Sequence, residues 1–333
     1  MTGLQIKAQV KKQLNSSTFD LMQAAIKEME AQLKTLCRSE QLEMAQNLER
    51  VVMAGGKRLR PSLAWTCHQI GTGAQMEIIP LMCMLELMHT ASLIHDDVVD
   101  DAPTRRGVAT IHTTSGRHAA VQSGDFLLGR AMEYLHLYRG TGINEALAEI
   151  SLQMCLGEFQ QMEHLFDTKK QNLETYFEQI RRKTAYLIAT SCYCGGIAGG
   201  LDKKQCEALR FYGEQIGIAF QLKDDILDFT GTESFGKQNG QDLKRGIFTY
   251  PVLYAFKNNP NPEMERLAEK REKTKQEINT LLAYVQQSKG VEHTEFQIRV
   301  CSREAIRALD VIPECEGKAA LIKMAQTLVK RTV

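Results

Sequence analysis

Apolar residues recur at steps of three and four along almost the whole of this 333-residue chain, while Val, Ile and Thr alternation of strand length is nearly absent. That spacing follows the turn of an α-helix and not the two-residue repeat of a strand, so an all-α fold is predicted. Helices are predicted over Phe19–Leu33, Leu42–Met53, Ser62–Ile70, Ile79–Asp97, Ala119–Tyr138, Asn144–Phe166, Leu173–Gly195, Lys203–Asp228, Pro251–Phe256, Pro262–Gln287 and Thr294–Leu309. The breaks fall at Gly and Pro clusters such as Gly55-Gly56, Gly71-Thr72-Gly73 and Asn258 to Pro262. None is long enough for an interdomain linker, which leaves a single domain over 1–333.

Hydrophobic residues make up 43% and charged residues 24% of the chain, enough to bury a substantial core and too apolar for a disordered one. A balance of 41 Lys and Arg against 40 Asp and Glu excludes a general binder of nucleic acid, so any anion site must be local. Nine scattered cysteines read as the reduced thiols of a cytoplasmic protein. Cys192 and Cys194 are close, but no second pair or nearby His completes a zinc site. Lys7, Lys11 and Lys12 are not followed by the apolar core of a signal peptide. The most apolar stretch, Ile78 to Ile94, is shorter than the ~20 residues that span a bilayer and contains Glu86 and His89, so it reads as a buried helix and not a transmembrane segment.

Two of the predicted helices end in the same pattern, Asp96-Asp97-Val98-Val99-Asp100 and Asp224-Asp225-Ile226-Leu227-Asp228. A helix advances about 100° per residue, so Asp96 shares a face with Asp100 and Asp224 with Asp228. Such carboxylate pairs suit Mg²⁺, which takes oxygen ligands, keeps several waters and completes its shell with phosphate oxygens. A solvated acidic helix end is the plainer alternative for either motif alone. Against it, repelling acids beside Leu93-Ile94 and Ile226-Leu227 at helix C-termini oppose the macrodipole unless cations compensate them.

Basic residues stand where a diphosphate needs them. Gly55-Gly56-Lys57-Arg58-Leu59-Arg60-Pro61 sets three cations after a flexible turn, and Arg105-Arg106-Gly107 follows the first Asp motif. Arginine binds phosphate through two parallel N–H groups and lysine as a point charge. The spacing is not that of a Walker loop, and a basic cluster by itself is more often a solvated patch.

Taken in order, the Gly55–Pro61 segment, His89-Thr90-Ala91-Ser92-Leu93-Ile94-His95-Asp96-Asp97, Arg105-Arg106-Gly107, Gly124-Asp125, Lys183-Thr184, and Gln221 before Asp224-Asp225 resemble the trans-isoprenyl diphosphate synthase family, and within it the bacterial medium and long-chain enzymes, such as the large catalytic subunit of heptaprenyl diphosphate synthase. The resemblance runs from about Gly55 to Tyr254. It implies an all-α, single-domain helical bundle of the isoprenoid synthase type with a central cavity. It also implies head-to-tail condensation of isopentenyl diphosphate onto an allylic diphosphate of farnesyl or geranylgeranyl type, giving a medium or long-chain product for a quinone side chain. Lys57, Arg60, His89 and Arg106 would hold the isopentenyl diphosphate. Arg105 and Lys237 would contact the allylic diphosphate, with Lys183, Thr184 and Gln221 flanking its leaving group and the nascent cation. Asp96, Asp100 and Asp224, supported by Asp97, Asp225 and Asp228, would hold three Mg²⁺ ions.

The growing product needs an apolar path. Ala91 and Ser92 are small where bulky aromatics resemble a floor in short-chain relatives, which implies a product longer than farnesyl. Ser92, Met88 and Met84 lie one helical turn apart, with Met132 or Leu135 as floor candidates, although ordinary core packing explains Met and Leu equally well. One departure from the family is Ile247, at a position where many relatives carry Lys; Lys244 or Arg245 are the nearby substitutes. A homodimer is favoured, with a heterodimer containing a small regulatory subunit as the alternative. The rival activities are a shorter-chain geranylgeranyl diphosphate synthase, a terpene cyclase, a head-to-head prenyl synthase and a non-catalytic partner subunit. The last should have eroded Asp motifs and the cyclase needs no isopentenyl site.

Overall fold

The computed structural model describes residues 16–72, 75–230 and 239–329. Helices dominate: α1 (Ser16–Leu36), α2 (Leu42–Met53), α3 (Leu59–His68), α4 (Ile79–Val99), α5 (Ile111–Met132), α6 (Ile143–His164), α7 (Leu173–Ile180), α8 (Tyr186–Ala198), α9 (Lys203–Thr230), α10 (Gln241–Arg245), α11 (Tyr250–Asn258), α12 (Pro262–Glu269), α13 (Lys275–Gln287), α14 (Gly290–Ala308) and α15 (Glu316–Val329). The described residues form two compact units, one from Met1–Ala148, Thr190–Arg210 and Val311–Leu321, the other from Glu149–Ala189, Phe211–Asp310 and Ile322–Val333.

In the first unit α4 is the axis, and α1, α3 and α5 pack on it. Every residue from Pro80 to Met88 is buried, as expected of a helix that is apolar on all sides. The exception in polarity is Glu86, which meets the Arg58 guanidinium Nη1 at 2.5 Å. Arg58 Nε reaches Glu30 of α1 at 3.1 Å and its Nη2 donates to Val52 O at 2.9 Å. Buried charge is tolerated only when paired and hydrogen-bonded, and this triad fixes the Gly55–Arg58 turn between α1 and α4. Among the described residues no helix is long and apolar enough to cross a membrane.

The second unit has its own core, in which Tyr176, Ile180, Leu222, Ile226, Phe248, Leu253, Leu281 and Ile298 are buried together, and α11 packs on α14. Local features depart from the predicted helices, and α5 begins at Ile111 and ends at Met132 in place of the predicted Ala119–Tyr138. The stretch Leu173–Gly195 is interrupted by a π turn over Arg181–Ala185. The stretch Pro262–Gln287 is two helices, because Thr274 opens α13 with a reciprocal cap: its hydroxyl accepts from Glu277 N while the Glu277 carboxylate accepts from Thr274 N. The region after the first Asp motif contains a small hairpin, β1 (Thr104–Arg105) paired antiparallel with β2 (Val108–Ala109). Helices α10 and α15 are additions to the predicted set.

Candidate active site

The hairpin is the first device that builds the site. Its two turn residues, Arg106 and Gly107, have φ of 53° and 81°. Positive φ at both central positions is the turn that matches strand twist, and it calls for glycine at one of them. The turn sends the two arginines to different partners. Arg105 returns to α4, where its Nε and Nη2 donate to Asp97 Oδ1 at 2.8 and 2.5 Å. Arg106 Nη1 donates to Gly55 O at 2.6 Å, and its Nη2 is 3.5 Å from His89 Nε2. A side chain at Gly56 would stand 3.0 Å from the Arg106 guanidinium carbon, so the absence of one leaves room for the guanidinium.

Arg60, His89 and Arg106 thus meet at one basic pole within the first unit. Burial pushes Arg60 down to about 10, with Arg106 adding to the effect. Burial, followed by Arg60 and Arg106, holds the His89 imidazole well below its usual value and therefore neutral. The Arg60 Nε is buried with no hydrogen-bond partner. A buried donor left unpaired costs about 1–3 kcal/mol, more when charged, a cost that an anion accepting from it would offset. Lys57 is exposed on the loop beside it.

The first Asp motif closes α4. Asp96 and Asp100 are half-buried and joined by the helical turn from Asp100 N to Asp96 O at 2.8 Å, whereas Asp97 is 4% exposed. Burial raises the Asp97 carboxyl and Arg105 opposes that shift. Asp97 therefore orients Arg105, while Asp96 and Asp100 stand half-buried at the end of α4. His95 lies 3.5 Å from Asp125 of α5.

In the second unit the corresponding roles separate in the same way. Asp224 is exposed. Asp225 is buried and accepts from Tyr176 Oη (2.6 Å), Gln221 Nε2 (3.1 Å) and Tyr250 N (3.2 Å). Burial pushes it up to about 6 despite those donors. Asp228 accepts from the backbone N–H of Gln241 at 3.0 Å and of Asp242 at 3.2 Å. Asp242, which sequence reasoning missed, is pushed up to about 7 by burial and by Asp228 and Asp225. Its only sequence signal was an acid following the glycine-rich break near Gly240.

Lys183 and Thr184 sit on the π turn, an irregularity often found at functional sites. Thr184 Oγ1 donates to Gln221 Oε1 at 3.0 Å, which extends the Gln221–Asp225–Tyr176 chain of hydrogen bonds. Lys183 Nζ is 2.7 Å from Glu158 and 3.3 Å from Gln161 Oε1. The turn has room because two helices present glycine to it. A Cβ at Gly217 of α9 would stand 2.5 Å from Ala185 Cα, and one at Gly157 of α6 would stand 2.9 Å from Arg182 Cβ.

Of the chain-length candidates, Ala91 is fully buried, Met88 is buried, and Ser92 is half-buried with its hydroxyl donating to His89 O at 2.8 Å. Met132 is 61% exposed while Leu135 is half-buried, which makes Leu135 the better floor candidate within one chain. Lys237 lies outside the described residues. The two substitutes for a lysine at Ile247 have different surroundings: Arg245 acts on Asp228 and Asp242, whereas Lys244 lines a cavity on another side of α10. Among the described residues no three His, Cys, Asp or Glu side chains form a closed metal cage. An ion that keeps its waters and takes phosphate oxygens does not need one.

Residues 41–285 match the family model described as polyprenyl synthetase. The chain is 34% identical over 304 residues to heptaprenyl diphosphate synthase component 2 of Bacillus subtilis (strain 168), covering 91% of this chain and 87% of that protein. The crystal structure of heptaprenyl diphosphate synthase from Staphylococcus aureus superposes with a TM-score of 0.87 at 29% identity, over 94% of this chain and 99% of the other. A polyprenyl synthase from Caulobacter crescentus CB15, solved in complex with calcium and isoprenyl diphosphate, gives a TM-score of 0.86 at 30% identity, over 94% and 97% of the two chains.

Proposed function

The chain belongs to the polyprenyl synthetase family, and from that premise we propose that it is an all-trans-polyprenyl diphosphate synthase, a prenyltransferase that adds isopentenyl diphosphate head to tail to an allylic diphosphate. The observation that carries the reading is the basic pole, where the buried, unpartnered Arg60 Nε stands with Arg106 and neutral His89. A terpene cyclase, which takes a single diphosphate substrate, has no use for that second diphosphate site. Medium or long-chain products follow from the heptaprenyl relatives and from the small Ala91 and Ser92.

In the reaction the allylic C–O bond breaks, the isopentenyl double bond forms the new C–C bond to the resulting cation, and a proton leaves the added unit to the departing diphosphate. Lys57, Arg60, His89 and Arg106 hold the isopentenyl diphosphate in place during this exchange. Arg105, oriented by Asp97, and Lys237 bind the allylic diphosphate. Thr184 and Gln221, tied to Asp225 and Tyr176, fix the wall beside the cation with their dipoles already oriented, so little reorganisation is needed as charge develops. The carboxylates of Asp96, Asp100, Asp224 and Asp228 are hard oxygen donors that fit Mg²⁺, with three ions in the proposed complement. When bound, the metal neutralises charge on the leaving diphosphate.

Helices α6, α8, α9 and α15 each contribute residues to both compact units, which supports one catalytic domain over 1–333. A homodimer is supported by α6, where Leu152, Leu156 and Phe159 are 55%, 39% and 67% exposed on a helical stripe. A heteromer with a small subunit is the second reading, favoured by Ile247 and by the name of the Bacillus relative, a component 2. Nine free cysteines support a cytoplasmic site of action.

The test is incubation of the full chain with Mg²⁺, farnesyl diphosphate and labelled isopentenyl diphosphate, with chromatographic sizing of the products. Extended all-trans products are expected. No incorporation, with or without candidate small subunits, overturns the reading.

A further inference from the structure

The second unit holds a cavity of about 280 Å³ lined by Asn239, Gly240, Gln241, Lys244, Lys273, Lys275, Ile278, Asn279 and Leu282. Three of these residues are lysines and none is acidic. The cavity is set apart from the Asp motifs by its lining, although its Gly240–Gln241 wall is the turn whose N–H groups hold Asp228. Lys273 is held in place from two sides: its Nζ donates to Lys270 O at 2.6 Å and lies 4.8 Å from the centre of the Phe166 ring. Burial pushes it down to about 8, and Lys270 adds to that shift. The carboxylate that opposes the shift, Glu277, is already engaged by Lys270 and by Thr274 N at 2.8 Å. Asp242, the neighbour of Gln241, has Asp228 and Asp225 as its acidic neighbours and does not line the cavity.

A concave site whose described lining carries three clustered ammonium groups, the Asn279 amide and no carboxylate matches a phosphate-class anion. Ile278 and Leu282 add an apolar flank. We infer that the Lys244–Lys273–Lys275 cavity binds a phosphate group, free or as a headgroup, at a site distinct from the two substrate diphosphate sites. This inference does not depend on the prenyltransferase reading, and its test measures no prenyl transfer.

The test uses the full chain with a chelator present and with Lys57→Gln and Arg60→Gln introduced to silence the basic pole. Inorganic phosphate and inorganic diphosphate are titrated by calorimetry, while the methyl resonances of Ile278 and Leu282 are followed. Saturable binding that moves those methyls is expected. Adding Lys273→Gln and Lys275→Gln should weaken it by about tenfold or more, since removing a charge-assisted hydrogen bond costs at least a factor of that order. A parallel arm sediments the protein with phosphatidylglycerol or phosphatidylcholine vesicles. Binding to the anionic vesicles alone, abolished in the lysine variants, assigns the phosphate to a lipid headgroup. The exposed Lys275→Gln change alone serves if the multiple variant does not fold. Affinity unchanged by the lysine substitutions, or no saturable binding in either arm, overturns the inference.

Discussion

Asp97 and Asp225 show that adjacent carboxylates of one motif do different work. Each is buried and engaged by donors, Asp97 by Arg105 and Asp225 by Tyr176, Gln221 and Tyr250 N, while the residues one place before them remain accessible. Tyr176→Phe removes the 2.6 Å hydrogen bond to Asp225, and a loss of about 1.5–3 kcal/mol is expected, read as a lower urea midpoint at pH 8, where Asp225 is ionised. A midpoint equal to that of the parent would show that this bond contributes nothing. Two histidines, buried His68 and half-buried His89, give the pH dependence. Burial lowers both His68, whose Nε2 is 3.0 Å from Met76 O, and His89 from the ordinary value of 6.5. The unfolded chain takes up protons as pH falls through 6.5 and the folded chain does not, so stability present above that pH is lost below it. His68→Gln should flatten the acid side of a pH–stability curve, and a parallel curve would argue against the assignment.

The elements translate these residues into positions. The π turn at Arg181–Ala185 inserts one residue into what would otherwise be a continuous helix, and Gly217 and Gly157 are its counterparts on α9 and α6. Gly217→Ala should cost about 1–3 kcal/mol by overpacking and should lower kcat more than it raises KM, because Thr184 and Gln221 shift together. Steady-state kinetics beside thermal melts would separate this from a purely structural loss, in which kcat of the folded fraction is unchanged. On α4 the chain-length argument rests on Ser92 more than on Ala91, because Ala91 is fully buried and an aromatic there would disturb packing first. Ser92→Phe is expected to shorten the products seen by chromatography; an unchanged length distribution would remove α4 from the product path. The helix predicted over Leu173–Gly195 was legible as apolar periodicity, but the extra residue of the π turn was not, since it depends on glycines elsewhere in the chain.

At the scale of the whole molecule, α6 carries the surface that bears on assembly. Leu152, Leu156 and Phe159 form an exposed stripe, and a homodimer that buries it should fall to monomers in Phe159→Glu. Sedimentation velocity reads this as a halved mass, and a parent that is already monomeric would sink the proposal while leaving a small partner subunit as the occupant. The two compact units each contain one Asp motif, and the basic pole belongs to the first. The sequence order of motifs conveyed their chemistry, and the units show which of them are neighbours through packing alone.

The helical class, the α4 and α9 positions of the Asp motifs and the basic residues after Gly55 were determined by the sequence itself, because helix periodicity and four-residue spacing are local properties of the chain. Local spacing places Asp96 with Asp100, but it cannot say that Asp97 points at Arg105, that Arg58 is locked between Glu30 and Glu86 while Arg60 Nε is left without a partner, or that Lys244 and Lys273 share a cavity. Those assignments depend on which side chains from distant segments lose water together. Burial and long-range pairing set the charge and freedom of each group, and only the tertiary structure decides them.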